Sequence, residues 1–284
     1  MRSAAQGSPI GSRRSLLGLA ALAGAMAGLP HWPAARAQAG ERKLALVIGN
    51  AGYKAGALKN PVNDARAVGA SLKSLGFEVN LRENASLREM LDAMRDFARQ
   101  APNYAVRVLF YAGHGIQAKG RNYLLPVDAD ISGEDELPAR AADIGELIER
   151  VGAIRHGVNV VILDACRANP FAGGVFVDQD GRRVRFRGNT PSGLAKLNAP
   201  TGTLIAYSTA PGGIAYDGKD GKHSLYTKHL LSHLATPGMP IELLFKRVRI
   251  GVTKETDRLQ IPWESSSLVS DFCFRPDEKG RCAG

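Results

Sequence analysis

The chain of 284 residues has only three cysteines, and no two of them form a Cys-x-x-Cys pair. That spacing excludes thioredoxin-like redox chemistry. No Gly-x-Ser-x-Gly elbow is present, which excludes the hydrolases built on that turn. Gly49-Asn50-Ala51-Gly52 lacks the dinucleotide fingerprint, and no zinc or haem motif appears. The loop aspartates Asp128, Asp130, Asp135, Asp178 and Asp180 lack the Gly-centred spacing of an EF-hand loop. The apolar run from Leu16 to Leu29 counts 14 residues, short of the ~20 that span a bilayer. Arg182, Arg183, Arg185 and Arg187 crowd one stretch without the interleaved aromatic pattern of a single-strand binding surface, so a nucleic-acid partner is not expected.

What is present suffices for a folded body, since 44% of the residues are apolar and the length permits a sizeable core. Residues 1–39 are set apart as an export signal. A cationic leader ends in Ser12-Arg13-Arg14-Ser15, the short apolar run follows, and small-x-small sites stand at Ala35-Arg36-Ala37 and Ala37-Gln38-Ala39. The arginine pair resembles a twin-arginine signal; an ordinary secretory signal with an incidental pair is the alternative. Either reading predicts a periplasmic or secreted bacterial protein with no membrane span once the signal is removed. Loss of residues 1–37 removes four arginines and no acid, lowering the formal charge from +10 to +6.

An odd cysteine count in an exported protein leaves at least one thiol unpaired. Cys273 and Cys282 are near neighbours in the tail 273–284 and can close a small disulfide loop, leaving Cys166 free; Cys282 as a plain terminal thiol is the alternative.

Apolar strands alternate with helix-period segments through residues 40–272, predicting one α/β domain with a mostly parallel, covered sheet. Strands are expected at Lys43–Gly49, Phe77–Leu81, Val106–Ala112, Val158–Asp164 and Thr203–Ser208. Helices are expected after Asn63, at Leu87–Arg99, Asp143–Val151, Ser224–Leu234 and Met239 to about Thr256. Residues 167–200 are too long and polar for an ordinary connection and read as a functional loop.

His114 and Cys166 stand out as loop residues, each at the C-terminal end of a buried strand, where open α/β sheets build their sites. A thiol needs a neighbouring imidazole to ionise near neutral pH, and a carbonyl under attack needs backbone N–H donors. His114 lies 52 residues before Cys166, the separation associated with the caspase nucleophile.

Six motifs in order carry a resemblance to the caspase/metacaspase family across nearly the whole mature chain. They are Ala45-Leu46-Val47-Ile48-Gly49-Asn50, Asn63-Asp64-Ala65, Leu75-Gly76-Phe77, Phe110-Tyr111-Ala112-Gly113-His114-Gly115, Asp164-Ala165-Cys166-Arg167 and Ala206-Tyr207-Ser208-Thr209-Ala210-Pro211-Gly212. The resemblance implies a caspase-like fold with helices on both faces of the sheet. It implies a cysteine endopeptidase with Cys166 as nucleophile, His114 as base, and the backbone N–H groups of Gly115 and Cys166 as oxyanion donors. The alternative is a caspase-like module that binds peptides without cutting them.

The departures from the caspase pattern point to specificity. Asp164 stands where animal caspases have Gln, Asp217 falls where they place a pocket Arg, and Leu58 falls near their other one. Two carboxylates in one pocket favour Arg or Lys at P1, so the expected partners are protein or peptide substrates with such residues. The Gly181–Gly188 stretch, rich in Arg, then offers a site for self-processing. No cofactor is required on this reading. Metacaspase relatives imply calcium as an activator, with no ligand set assigned in this chain.

Overall fold

Strand β1 (Lys43–Gly49) is apolar at every interior position because both of its faces are covered. Ala45 and Val47 enter one core and Leu44, Leu46 and Ile48 the other. The computed structural model describes residues 41–54, 56–166, 175–177, 183–185, 194–211, 213, 215 and 221–282. The expected export signal, Asp178, Asp180 and Asp217 lie outside them.

Helix α1 (Pro61–Ser74) opens with proline at its first turn, where no N–H is needed, and closes before Gly76 at φ +84°. Strand β2 (Phe77–Glu83) follows. Helix α2 (Leu87–Gln100) begins in a capping box between Ser86 and Glu89. Next come β3 (Val106–Ala118), β4 (Arg121–Leu124), the single turn α3 (Leu137–Arg140), β5 (Ala142–Asp143) and α4 (Ile144–Gly152), which Asp143 caps through Gly145 N–H at 2.8 Å. Strand β6 (Val158–Cys166) leads into a region where two short strands, β7 (Val175–Val177) and β8 (Arg183–Arg185), pair antiparallel. Strand β9 (Thr203–Tyr207), α5 (Leu225–Leu234), α6 (Ile241–Glu255) and β10 (Trp263–Ser266) complete the order.

The sheet runs β10-β9-β6-β3-β1-β2, with every neighbour parallel except the edge pair β10–β9; β4 and β5 extend it from the far end of β3. One face packs against α1, α5 and α6, and the other against α2 and α4. A third cluster, including Tyr53, Ile116, Tyr123 and Leu137, lies beneath the β3–β4 hairpin. Phe272 and Phe274 both enter the first core, so the packed body continues into the tail. Cys273 and Cys282 are joined by a disulfide. Among the described residues no helix is long and apolar enough to cross a membrane.

From β1 the chain passes outward to β2 and then returns to β1's other side with β3, so the order reverses at β1/β3. Beyond the strand ends at such a reversal is the usual place for a site in open α/β sheets.

Candidate active site

His114 is not on a loop. The β3 ladder with β1 stops at Gly49 opposite Ala112, but β3 continues because Gly115 to Ala118 pair with Leu124 to Arg121 of β4. On its other side β3 stays in register with β6 through Gly113↔Ala165 and His114↔Cys166. The same ladder carries β6 as far as Cys166, so both residues are strand residues side by side. The sequence reading ended both strands too early because Gly-His-Gly looks like a turn, and only the hairpin partner reveals that it is extended.

The loop after β1 closes over His114. Its imidazole is largely buried and packs on the Tyr53 ring at a centroid separation of 4.5 Å. Nε2 lies 2.6 Å from the Gly56 carbonyl. A carbonyl only accepts, so Nε2 carries the proton and Nδ1 the lone pair. Among the described residues Nδ1 is buried with no hydrogen-bond partner. Burial lowers the imidazole's pKa, and the bond to Gly56 opposes that shift.

Gly115 is closely covered, since a Cβ there would lie 2.9 Å from Leu194 Cδ2 and 3.3 Å from the Ala165 methyl, so Leu194 would have to shift to admit one. Leu194 belongs to the stretch where the chain re-emerges after the long loop. Asn122 pins that stretch, accepting from Ala195 N–H at 2.6 Å and donating to Ala195 C=O at 2.8 Å. The polar Asn122 gave no sign of this role in the sequence, because its partner lies 73 residues away.

Asp164, opposite Ala112 in the ladder, is buried at 6% exposure. Its Oδ2 accepts from the hydroxyls of Ser224 and of Thr227, the latter at 2.7 Å. Ser224 caps α5, so the carboxylate sits at that helix's positive end. A second buried carboxylate, Asp64 of α1, accepts from Ser224 N–H at 3.2 Å and from His223 Nδ1 at 2.8 Å. One residue, Ser224, therefore bridges two buried acids. The sequence reading quoted Asp64 within a motif but gave it no role; the signal was an acid on the apolar-periodic face of α1. Leu58, the other position compared with a caspase pocket, packs on the cluster beneath the hairpin.

Among the described residues no group of three or more His, Cys, Asp or Glu side chains is placed to hold a metal ion. Asp128 accepts instead from Leu87 N–H at 2.9 Å. A cavity of about 290 Å³ among α2, α3 and α4, lined by Leu91, Met94, Pro138 and Leu147, includes neither His114 nor Asp164.

Comparison with known proteins adds two findings. The family described as caspase domain matches residues 42–273. The mucosa-associated lymphoid tissue lymphoma translocation protein 1 of Homo sapiens and its homologue in Mus musculus are each 32% identical over 126 residues, which is 44% of this chain. The chain spans 15% of the length of either relative.

Proposed function

The chain belongs to the caspase-domain family, and on that premise we propose that it is a cysteine endopeptidase cutting after Arg or Lys, with Cys166 as nucleophile and His114 as base. The observation that carries the reading is the register that sets His114 beside Cys166, on a ring whose tautomer Gly56 decides. Nδ1 then takes the thiol proton, and the thiolate attacks the substrate carbonyl. Backbone N–H groups of Gly115 and Cys166 hold the oxyanion, and the imidazolium returns its proton to the leaving amine. Water, deprotonated by the same imidazole, releases the acyl group and restores the thiol.

Basic specificity is supported by the two acids that meet at Ser224. Asp164 and Asp64 are both buried, and each accepts hydrogen bonds from donors around Ser224. An arginine fork entering beside them meets fixed negative charge, whereas an acidic P1 residue is repelled. We also propose an exported location; the Cys273–Cys282 bond supports it, because disulfides persist in oxidising compartments.

Cys166→Ala and His114→Ala test the dyad. Each is expected to abolish turnover of Arg- and Lys-ending fluorogenic peptides, with an unchanged circular-dichroism spectrum. Retained turnover in either variant refutes the assignment.

A further inference from the structure

Two tyrosine hydroxyls hold the peptide groups on both sides of the His114 Cα. Tyr53 Oη accepts from the His114 N–H at 2.9 Å, and Tyr111 Oη donates to the His114 carbonyl at 2.7 Å. The hydroxyls are 3.2 Å apart, and both also approach the Leu125 carbonyl, at 3.3 and 3.0 Å. Each phenol has one proton. Tyr111 spends its proton on the His114 carbonyl at the shorter distance, which leaves its oxygen to accept from Tyr53. With Tyr53 donating to Tyr111 the circuit closes, from His114 N–H to Tyr53, Tyr53 to Tyr111 and Tyr111 back to His114 C=O, while the Leu125 carbonyl is the other acceptor within reach of both hydroxyls.

The circuit sits at the junction where β1 has ended beside β3 and β4 takes over. Ala112 C=O still receives Asn50 N–H at 2.9 Å, but β1 has ended, and two residues further on His114 has no β1 neighbour. The Leu125 N–H, just past β4, reaches the His114 carbonyl at 3.0 Å beside the Tyr111 hydroxyl, whereas the His114 N–H is met by the Tyr53 hydroxyl. Gly113 permits the approach: a Cβ there would lie 2.5 Å from Tyr53 Oη and 2.7 Å from Tyr111 Oη, and its φ is +152°. Tyr53 also belongs to a preassembled loop. Ala51 C=O accepts from the N–H groups of Tyr53 and Leu58, both at 3.0 Å, and Asn84 Oδ1 accepts from Ala51 and Gly52 N–H, both at 2.9 Å. The same loop delivers Gly56 C=O to the imidazole.

We propose that Tyr53 and Tyr111 are positioning residues for His114, holding its backbone and ring in the geometry and tautomer that the base requires. This rests on the reading of His114 as the base. Chains of hydrogen bonds strengthen one another, so removing either hydroxyl weakens the bond that the other makes to His114.

The test uses the mature protein with Tyr53→Phe, Tyr111→Phe and the double variant; phenylalanine keeps the ring that packs on the imidazole. On an Arg-ending peptide each single variant is expected to lower kcat about tenfold with KM within twofold, and the double variant to lose little more than either single one. In a Cys166→Ala background, ¹⁵N spectra of labelled histidine are expected to show His114 as the Nε2–H tautomer, passing to a tautomer mixture on Tyr53→Phe. Unchanged kcat in the single variants, losses that multiply in the double variant, or an unchanged His114 tautomer would each overturn the proposal. If the parent enzyme cuts no Arg or Lys peptide, the functional reading fails, while the histidine spectra still decide whether the tyrosines control the ring.

Discussion

Replacing Asp164 by asparagine keeps the shape of the side chain and removes its charge. Two consequences follow from the structure, and their sizes differ. For the fold, Oδ2 accepts from the Ser224 and Thr227 hydroxyls. A neutral amide oxygen still accepts, so what is lost is the charge-assisted part of those bonds and the interaction with the α5 N-terminus, about 1–3 kcal/mol in all. For a chain of this size that lowers Tm by about 2–12 °C. For an arginine substrate the change removes one partner of a desolvated ion pair, a loss of about 3–5 kcal/mol. At ~1.4 kcal/mol per factor of ten, kcat/KM falls by roughly two to three and a half orders of magnitude. Michaelis kinetics on Arg-, Lys- and Asp-ending fluorogenic peptides, run well below the variant's Tm, measure the second effect, and calorimetry measures the first. Arg-peptide cleavage in Asp164→Asn within threefold of the parent would refute the argument, as would a parent enzyme that cuts Asp- and Arg-ending peptides equally well.

Two further outcomes follow. Burial depresses the His114 pKa, so the unfolded chain takes up this proton first. Stability is therefore expected to fall as pH drops from about 6.5 toward the folded value, and the acid limb of kcat/KM to lie below about 6.5. A limb above that point would contradict the buried, neutral imidazole. Breaking the Cys273–Cys282 bond, whose cysteines are 9 residues apart, frees a loop worth about 2–3 kcal/mol of unfolded-state entropy. Cys282→Ser is expected to lower Tm by roughly 4–12 °C, read by calorimetry, and dithiothreitol to do the same to the parent but not to the variant.

The elements that were legible from the residues are those whose signal is local. Val158-Asn159-Val160-Val161-Ile162-Leu163 is apolar but for Asn159 because its strand is covered on both faces, and the helix at Leu87–Gln100 declares itself by its periodicity. The edge strand Trp263–Ser266 was missed, since its exposed and half-buried residues carry no alternation strong enough to read. Only its antiparallel pairing with Thr203–Tyr207 makes it a strand. His114 was expected on a loop for a similar reason, because its strand's partner in β4 decides its conformation.

By itself the sequence determined the fold class, the family resemblance and the two residues on which the chemistry is proposed to rest, because strand and helix patterns and short motifs are written in neighbouring residues. Tertiary structure alone decided which polar groups converge on them. Gly56 and Tyr53 reach His114 across about sixty positions of chain, and Asp64 and Asp164 meet at Ser224 from two other elements. No local pattern encodes those meetings. They arise where the parallel strands β1, β3 and β6 end on one edge of the sheet and the flanking segments must satisfy whatever buried donors and acceptors the strands leave there.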